Sequence, residues 1–312
     1  MLIMRPGHIS LLLLLGILLT LPTDVYASKN EVHLTCSRIA GKLASINLDE
    51  CIDRKLESSL SYSEQNIPLL IKEYPPLKQR HPQARILMLG GIHGDEYSSV
   101  SIMFKWMAKL DKYHSGLFHW QVAPLVNPDG LLRKKSQRMN ANGVDLNRNF
   151  LNGVNDHAGL EYWRNHTKSD PRRYPGIKPM SEKETQWVHT LITKFKPDAI
   201  VSVHAPYGIV DFDGPPKPPT HLGPLHLHLL GTYPGSLGNF AGEQLGIPVI
   251  TVELPYAGIM PSDREIARIW VDLVRWLKGN IPKKKKIKKQ QQAKESFSLT
   301  DLEKVQESHP HK

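Results

Sequence analysis

The chain has 312 residues, of which 40% are hydrophobic, 22% are charged and two are cysteines. That length is enough for one large domain or two modest ones, and the apolar content is too high for a disordered chain. The sequence has no apolar run near the ~20 residues that cross a bilayer, and two cysteines exclude both a cysteine-rich disulfide scaffold and a four-cysteine zinc site.

The net charge of +10 is concentrated at the C-terminal end. Residues 283–312 hold nine lysines and four acidic residues and so contribute +5, whereas the charges of residues 1–27 cancel. The remaining +5 is spread over the body without an evident basic stripe, so a nucleic-acid partner is not expected. We interpret residues 282–312 as a disordered basic tail. Electrostatic contact of this tail with an anionic wall polymer or membrane is the alternative.

The first 27 residues have the pattern of a secretory signal peptide. Arg5 precedes a short leucine-rich stretch, and the small residue Ala27 offers a cleavage site. An uncleaved membrane anchor is disfavoured because the apolar stretch is too short to span comfortably. We therefore expect an exported protein that begins near Ser28 and works in the periplasm or another extracytoplasmic space.

Residues 28–80 are predicted to form a small N-terminal extension with short helical stretches. This segment contains Cys36 and Cys51. In an oxidising compartment such a closely spaced pair could form a disulfide, worth about 3 kcal/mol in the chain-entropy model. Two unpaired thiols are the alternative.

Strands are predicted to alternate with helices over residues 81–281, since short, solidly apolar runs indicate buried strands and amphipathic stretches indicate helices. In chain order, we predict a strand at 85–89, a helix at 98–110, a strand at 121–126, a turn at 127–130, a helix that opens with a capping box of Ser181 and Glu184 and ends near Phe195, strands at 199–203 and 249–252, and a helix at 262–277. This alternation predicts an α/β fold with a mixed, mostly parallel central sheet and helices on both faces.

Potential metal ligands follow two of the predicted strands, at the sheet edge where sites of such folds lie. His93 and Glu96 form a His-x-x-Glu pattern after the first strand, and His204 follows the strand at 199–203. A lone His-x-x-Glu is weak evidence, and a single histidine at a strand end could be a core residue. Together, two histidines and one glutamate are a known ligand set of catalytic zinc, with a fourth position left for water.

Glu253 follows the apolar strand at 249–252. Burial of a carboxylate costs free energy, so its presence there indicates a functional role. The predicted task is that of a general base towards a metal-activated water, and a salt-bridged structural glutamate is the alternative. The polar loop 138–150 adds two arginines and four asparagines. Arginine is suited to binding a carboxylate or a developing oxyanion.

Five short segments occur in an order that is typical of one enzyme family; they are 90–96, 127–130, 143–150, 202–204 and 251–255. On these segments the chain resembles the zinc carboxypeptidases of the carboxypeptidase A type, and most closely their bacterial murein peptide amidase branch. The resemblance spans residues 85–280 and implies the zinc carboxypeptidase fold.

The resemblance implies roles for the residues around the metal. His93, Glu96 and His204 would hold one zinc ion per chain, and Glu253 would be the general base. Arg138 would polarise the scissile carbonyl and stabilise its oxyanion, a role for which Arg133 is the weaker candidate.

The resemblance also implies substrate contacts. Asn147 and Arg148 would bind the free carboxylate of the substrate, and Tyr233 would match a tyrosine on a mobile loop. Digestive carboxypeptidases carry arginine where this chain has Asp95. A carboxylate there would suit a substrate that carries an amine as well as an acid, such as diaminopimelate.

Members of the murein branch cut the amide bond between the γ-carboxyl of D-glutamate and diaminopimelate. The sequence thus predicts an exported zinc metallopeptidase that acts on peptidoglycan stem peptides or muropeptides, in an oligomeric state that is left open. One alternative is a deacylase of N-acyl amino acids, of the succinylglutamate desuccinylase or aspartoacylase type, against which the complete 143–150 loop argues. A non-catalytic cell-wall-binding module is the other, and the intact ligand set argues against it.

Overall fold

The apolar runs of the sequence form the middle of a mixed sheet in the computed structural model, which describes residues 23–78 and 80–281. In this part of the chain the sheet has nine strands in the order β1-β2-β4-β3-β5-β9-β6-β8-β7. The strands are β1 (Glu57–Tyr62), β2 (Pro68–Tyr74), β3 (Ala84–Leu89), β4 (Phe118–Ala123), β5 (Ala199–His204), β6 (Ile209–Asp213), β7 (His221–Leu222), β8 (Leu225–Leu227) and β9 (Val249–Glu253). The central strands β4, β3, β5 and β9 are parallel, and antiparallel neighbours flank them.

Helices cover both faces of the sheet. They are α1 (Thr23–Lys42), α2 (Leu48–Asp53), α3 (Tyr97–Tyr113), α4 (Pro128–Leu131), α5 (Ala158–Thr167), α6 (Lys183–Phe195) and α7 (Asp263–Asn280). Short 3₁₀ turns lie at Leu146–Arg148 and Pro171–Arg173, and Gly238–Gln244 is π-helical. Of the helices in the described residues, none has both the length and the apolar character that crossing a membrane requires.

Strand β3 explains how the two faces are filled. Ile86 and Met88 belong to the core that includes α3 and α7, whereas Leu87 and Leu89 belong to the core that includes α6. A strand buried on both faces reads as a continuous apolar run, because successive side chains enter opposite layers. The predicted α/β fold with helices on both faces is confirmed.

Three predicted boundaries need correction. Strand β4 begins earlier and ends at Ala123, and the predicted turn at 127–130 is the short helix α4, capped by Asn127 Oδ1, which accepts from Gly130 N at 2.8 Å. The capping box of Ser181 and Glu184 does not form: α6 begins after Glu182 with no side-chain cap. Glu184 is fully buried, and its carboxylate accepts hydrogen bonds from Glu64 N and Asn140 Nδ2. Contacts with distant segments thus replace the predicted local cap.

The segment predicted as an N-terminal extension adds two helices and two strands. Strand β2 pairs with β4, and β1 pairs with β2, so this segment continues the sheet. Cys36 in α1 and Cys51 in α2 form a disulfide, with Cα atoms 5.6 Å apart, as predicted. Most of the predicted signal peptide and the whole basic tail lie outside the described residues.

Candidate metal centre and active-site cleft

Neighbouring strand ends bring the predicted metal ligands together. Strands β3, β5 and β9 are adjacent and parallel, so their carboxyl ends meet at one edge. His204 is the last residue of β5 and lies directly opposite Glu253, the last residue of β9. The loop after β3 carries His93 and Glu96 to the same edge.

Glycine makes this loop possible. Gly91 has a φ of +60°, and a Cβ on Gly94 would lie 2.2 Å from the carbonyl carbon of Gly130 in α4. Asn127 joins the two segments further, since its Nδ2 donates to Ile92 O at 3.2 Å and to Arg138 O at 3.1 Å. The sequence motifs at 90–96 and 127–130 therefore pack directly against each other.

The ligand atoms of His93, Glu96 and His204 lie within 4.8 Å of one another, and all three residues are buried. His204 Nδ1 lies 3.1 Å from His93 Nδ1 and 3.1 Å from Glu96 Oε2, and His93 Nδ1 lies 2.7 Å from Glu96 Oε1. Ligand atoms around a tetrahedral zinc with bonds of 2.0–2.1 Å are about 3.3 Å apart. The donor set and its spacing thus fit a single zinc ion.

The far side of each imidazole is already held. His204 Nε2 lies 3.0 Å from Ser202 Oγ, and His93 Nε2 lies 3.1 Å from Asp145 Oδ1. The Asp145 carboxylate can only accept, so it favours the tautomer of His93 that carries its proton on Nε2, and Ser202 holds the ring of His204 from the same side. Nδ1 of both histidines therefore faces the cluster. Both rings are therefore oriented for binding before a metal arrives.

Electrostatics keep the carboxylates of the centre ionised. Burial alone would raise the pKa of Glu96, but His93 and His204 outweigh it and hold the pKa well below its usual range. Burial likewise opposes ionisation of Asp145, and Arg138 and His93 hold the pKa of this carboxyl well below its usual range. A carboxylate that stays ionised near neutral pH can bind a cation.

Asp145 is the functional residue that the sequence analysis missed. It is fully buried, and besides contacting His93 it accepts from Arg138 Nε and pairs with Arg138 Nη2, both at 3.0 Å. It thus orients a predicted zinc ligand and a predicted oxyanion donor at once. Its position in the 143–150 motif was the available signal.

Glu253 is only 7% exposed, and its Oε2 is buried without a hydrogen-bond partner among the described residues. Burial raises the pKa of Glu253, Glu96 adds to the effect, and the two histidines oppose it. A buried carboxylate oxygen without a partner is costly unless a ligand or water uses it. This environment suits a group that exchanges a proton.

The predicted substrate-binding residues line the same cleft. Arg148 donates to Asn147 O at 2.6 Å, and its guanidinium lies 4.4 Å above the ring centroid of Tyr233. Asn147 Oδ1 accepts from Leu237 N at 2.8 Å, so the two cleft walls are joined there. Burial and the charge of Arg138 lower the pKa of Arg148, which Asp145 opposes.

Asp95 also lines the cleft, but one of its oxygens is engaged. Its Oδ2 accepts from Arg172 Nη2 at 2.9 Å, whereas its Oδ1 is buried without a partner in the described residues. The cleft has a volume of about 370 Å³ and contains all nine residues predicted for the site, which are Glu253, Arg138, Asn147, Arg148, Tyr233, Asp95, His93, Glu96 and His204. Their individual roles stay predictions.

Known proteins resemble this chain in sequence and in fold. A family model for zinc carboxypeptidases matches residues 54–210. Murein peptide amidase A of Escherichia coli K12 is 33% identical over 204 residues, which cover 61% of this chain and 79% of that protein. Bovine thrombin-activatable fibrinolysis inhibitor, solved with tick carboxypeptidase inhibitor, superposes with a TM-score of 0.53 at 17% identity, over 82% of this chain and 93% of that chain. Carboxypeptidase A of Helicoverpa armigera gives a TM-score of 0.54 at 16% identity, over 69% and 65%. The last two similarities concern the fold alone.

Proposed function

Because the chain belongs to the zinc carboxypeptidase family, we propose that it is an exported metallopeptidase that hydrolyses the γ-D-glutamyl–diaminopimelate amide bond of peptidoglycan stem peptides. Membership and the relation to murein peptide amidase A confirm the resemblance that the sequence motifs indicated. The substrate, the single zinc ion, the roles of the residues and the export are our proposal.

One observation carries the proposed chemistry: a fitting metal-ligand set, an unpartnered buried carboxylate and a half-buried arginine share one cleft. A zinc ion held by His93, Glu96 and His204 would supply Lewis-acid activation of water and of the scissile carbonyl. The chain itself supplies proton transfer, charge stabilisation and substrate positioning.

Proton transfer is assigned to Glu253. Its free Oε2 accepts a proton from the attacking water and returns it to the nitrogen of the leaving amine. The raised pKa of Glu253 favours the first step, because a carboxylate with a higher pKa is a stronger base. General acid–base catalysis of this kind contributes about 10²–10⁴ in rate.

Charge stabilisation and positioning are assigned to the two arginines of the 138–150 loop. Arg138 is held by Asp145 beside His93, where its guanidinium can donate to the oxygen that becomes negative. Arg148 offers a fixed fork to the free carboxylate of the terminal residue. Asn147 lies next to it in the same wall of the cleft.

The relation to murein peptide amidase A supports peptidoglycan peptides as the substrate class. The signal-peptide pattern of residues 1–27 supports action outside the cytoplasm, where those peptides are attached to the wall. Contact of the lysine-rich tail with an anionic wall polymer or membrane would fit the same setting.

Mass spectrometry of purified muropeptides tests the proposal. We expect incubation with the protein to remove the mass of diaminopimelate from tripeptides, and we expect a chelator to abolish this loss and added zinc to restore it. Unchanged muropeptides, together with release of an acyl group from N-acyl amino acids, would replace the proposed activity with a deacylase.

A further inference from the structure

Strand β6 presents two acidic side chains to the floor of the cleft. Side chains alternate along a strand, and Val210 and Phe212 enter the core on one side of the sheet. Asp211 and Asp213 therefore point to the opposite side, where both line the cleft. Nothing in the proposed hydrolytic step uses them.

The register of the sheet gives their depth below the reacting centre. Ile209 lies opposite Glu253, Asp211 opposite Thr251 and Asp213 opposite Val249. Two residues along a strand span about 6.8 Å. Asp211 thus lies two residues along the strand from the level of Glu253, and Asp213 lies four residues from it.

The acids share a pocket with the proposed carboxylate-binding residues. Asn147 Oδ1 accepts from Leu237 N, and the next residue, Gly238, packs on Asp213: a Cβ on this glycine would lie 2.0 Å from Asp213 Oδ2. A terminal residue whose carboxylate reaches Arg148 would therefore lie in the same pocket as the two acids. One wall of this pocket carries a cation and its floor carries two carboxyl groups.

In the described residues the two acids form no ion pair with a lysine or an arginine, and His228 and His204 are the cation-forming groups that act on Asp211. Asp211 accepts one hydrogen bond, from Leu230 N at 2.9 Å. Burial raises the pKa of Asp213 to about 7, and the charges of Asp211 and Glu243 add to the rise. Potential metal-ligand clusters in the described residues do not include either acid. An ammonium group would relieve the repulsion between them.

We propose that Asp211 and Asp213 select substrates whose terminal residue ends its side chain in an ammonium group. The inference rests on the proposed function and adds to it the specificity of the pocket behind the scissile bond. Both diaminopimelate and lysine carry such a group. Diaminopimelate brings a second carboxylate near the acids, and lysine does not, so the two are separate arms of the test.

Matched peptides test the proposal. L-Ala-γ-D-Glu is joined to meso-diaminopimelate, to L-lysine or to L-norleucine, which has an unbranched side chain without the ammonium. We expect the wild type to prefer an ammonium-bearing peptide over the norleucine peptide by about 10- to 100-fold in kcat/KM, the value of a charged hydrogen bond. Asp211→Asn and Asp213→Asn should each lower this ratio towards one.

Three results are distinguishable. If the wild type cleaves none of the peptides, the proposed function fails; calorimetry of free lysine against norleucine then still tests the acids, and equal binding of the two overturns the inference. If the norleucine peptide is cleaved as well as the others, the function stands and the inference fails. Glu243→Gln removes a nearby charge outside the cleft and should keep the preference for the ammonium-bearing peptide. If Asp95→Asn loses this preference while the Asp211 and Asp213 variants keep it, Asp95 binds the ammonium group and the inference fails.

Discussion

Two groups of three potential ligands in the described residues have similarly short distances between their ligand atoms and differ in what surrounds them. The metal-ligand cluster consists of His93, Glu96 and His204, and the acidic cluster consists of Glu64, Glu182 and Glu184. In each, the ligand atoms lie within 4.8 Å of one another. Distance alone therefore does not separate a metal centre from a structural cluster.

The acidic cluster is occupied by amide donors. Asn140 Nδ2 donates to Glu182 Oε2 at 2.7 Å and to Glu184 Oε2 at 3.2 Å, and Asn142 Nδ2 donates to the same Glu182 oxygen at 2.8 Å. The backbone N–H of Glu64 donates to Glu184 Oε1 at 3.2 Å. A cation would have to displace these donors, which hold the loop that carries Arg138.

The metal-ligand cluster is arranged differently. Its two Nδ1 atoms face each other, their rings are held from behind, and the cluster opens to the cleft beside the unpartnered Glu253 oxygen. Arg138 Nη1 and the backbone N–H of Ala205 also contact this cluster, at His93 Nδ1 and Glu96 Oε2. The comparison teaches that the metal centre is marked by two oriented imidazoles that meet a carboxylate at an open cleft, whereas the acidic cluster consists of carboxylates alone. The predictions below test this distinction, from the largest expected effect to the smallest.

Removal of one ligand should abolish both zinc binding and hydrolysis. In His204→Ala the remaining two ligands cannot complete the site, so we expect loss of stoichiometric zinc and activity at background. Metal analysis by mass spectrometry and muropeptide turnover measure both. Glu64→Gln in the acidic cluster is the matched control and should keep one zinc per chain; loss of zinc in this control would show that the acidic cluster holds it.

Glu253→Gln should separate chemistry from metal binding. The amide cannot accept the proton of the attacking water, so kcat should fall by about 10²–10⁴ while zinc content stays at the wild-type level. Stopped-time assays of kcat with parallel metal analysis test this. A variant that keeps more than a tenth of kcat would exclude Glu253 as the general base.

Asp145→Asn should weaken the metal centre without removing a ligand. The substitution keeps the shape of the side chain but removes the charge that faces His93 and Arg138, and such changes cost about 10–100-fold in metal affinity or activity. Competition with a chelator gives the zinc affinity. Asp170→Asn on the cleft rim is the control with an unchanged affinity, and an equal loss in both variants would contradict a specific role.

The sequence predicted the parts of this site that local pattern encodes. His204 and Glu253 were found because each ends a solidly apolar strand, and chain order then placed both at one edge. Asp145 was missed because its partner His93 lies 52 residues earlier, and a polar loop offers many equivalent residues. Strand β6 was missed because its acids interrupt the apolar run, and those acids face the cleft.

Glu184→Gln should change the pH dependence of stability rather than activity. Burial raises the pKa of Glu184 from 4.5 to about 7, and Asp129 adds to the rise. The folded state thus holds a proton that the unfolded state releases, so the wild type loses stability as pH rises from 4.5 to about 7. The neutral variant escapes this loss, and its Tm relative to wild type should rise across that window by about 2–4 °C for each kcal/mol.

Thermal melts at several pH values measure this difference, and a matched variant gives the opposite case. Hydrogen bonds with Ser262 lower the pKa of Glu265 at the start of α7 below 4.5. The stabilisation from that carboxylate is fully present above pH 4.5. The Tm of Glu265→Gln should therefore lie below that of the wild type by the same amount at every pH between 4.5 and 7. If the Tm difference between Glu184→Gln and the wild type is also independent of pH, the pKa of Glu184 is not raised. The amide donors of the acidic cluster then offset the full cost of burying its charge.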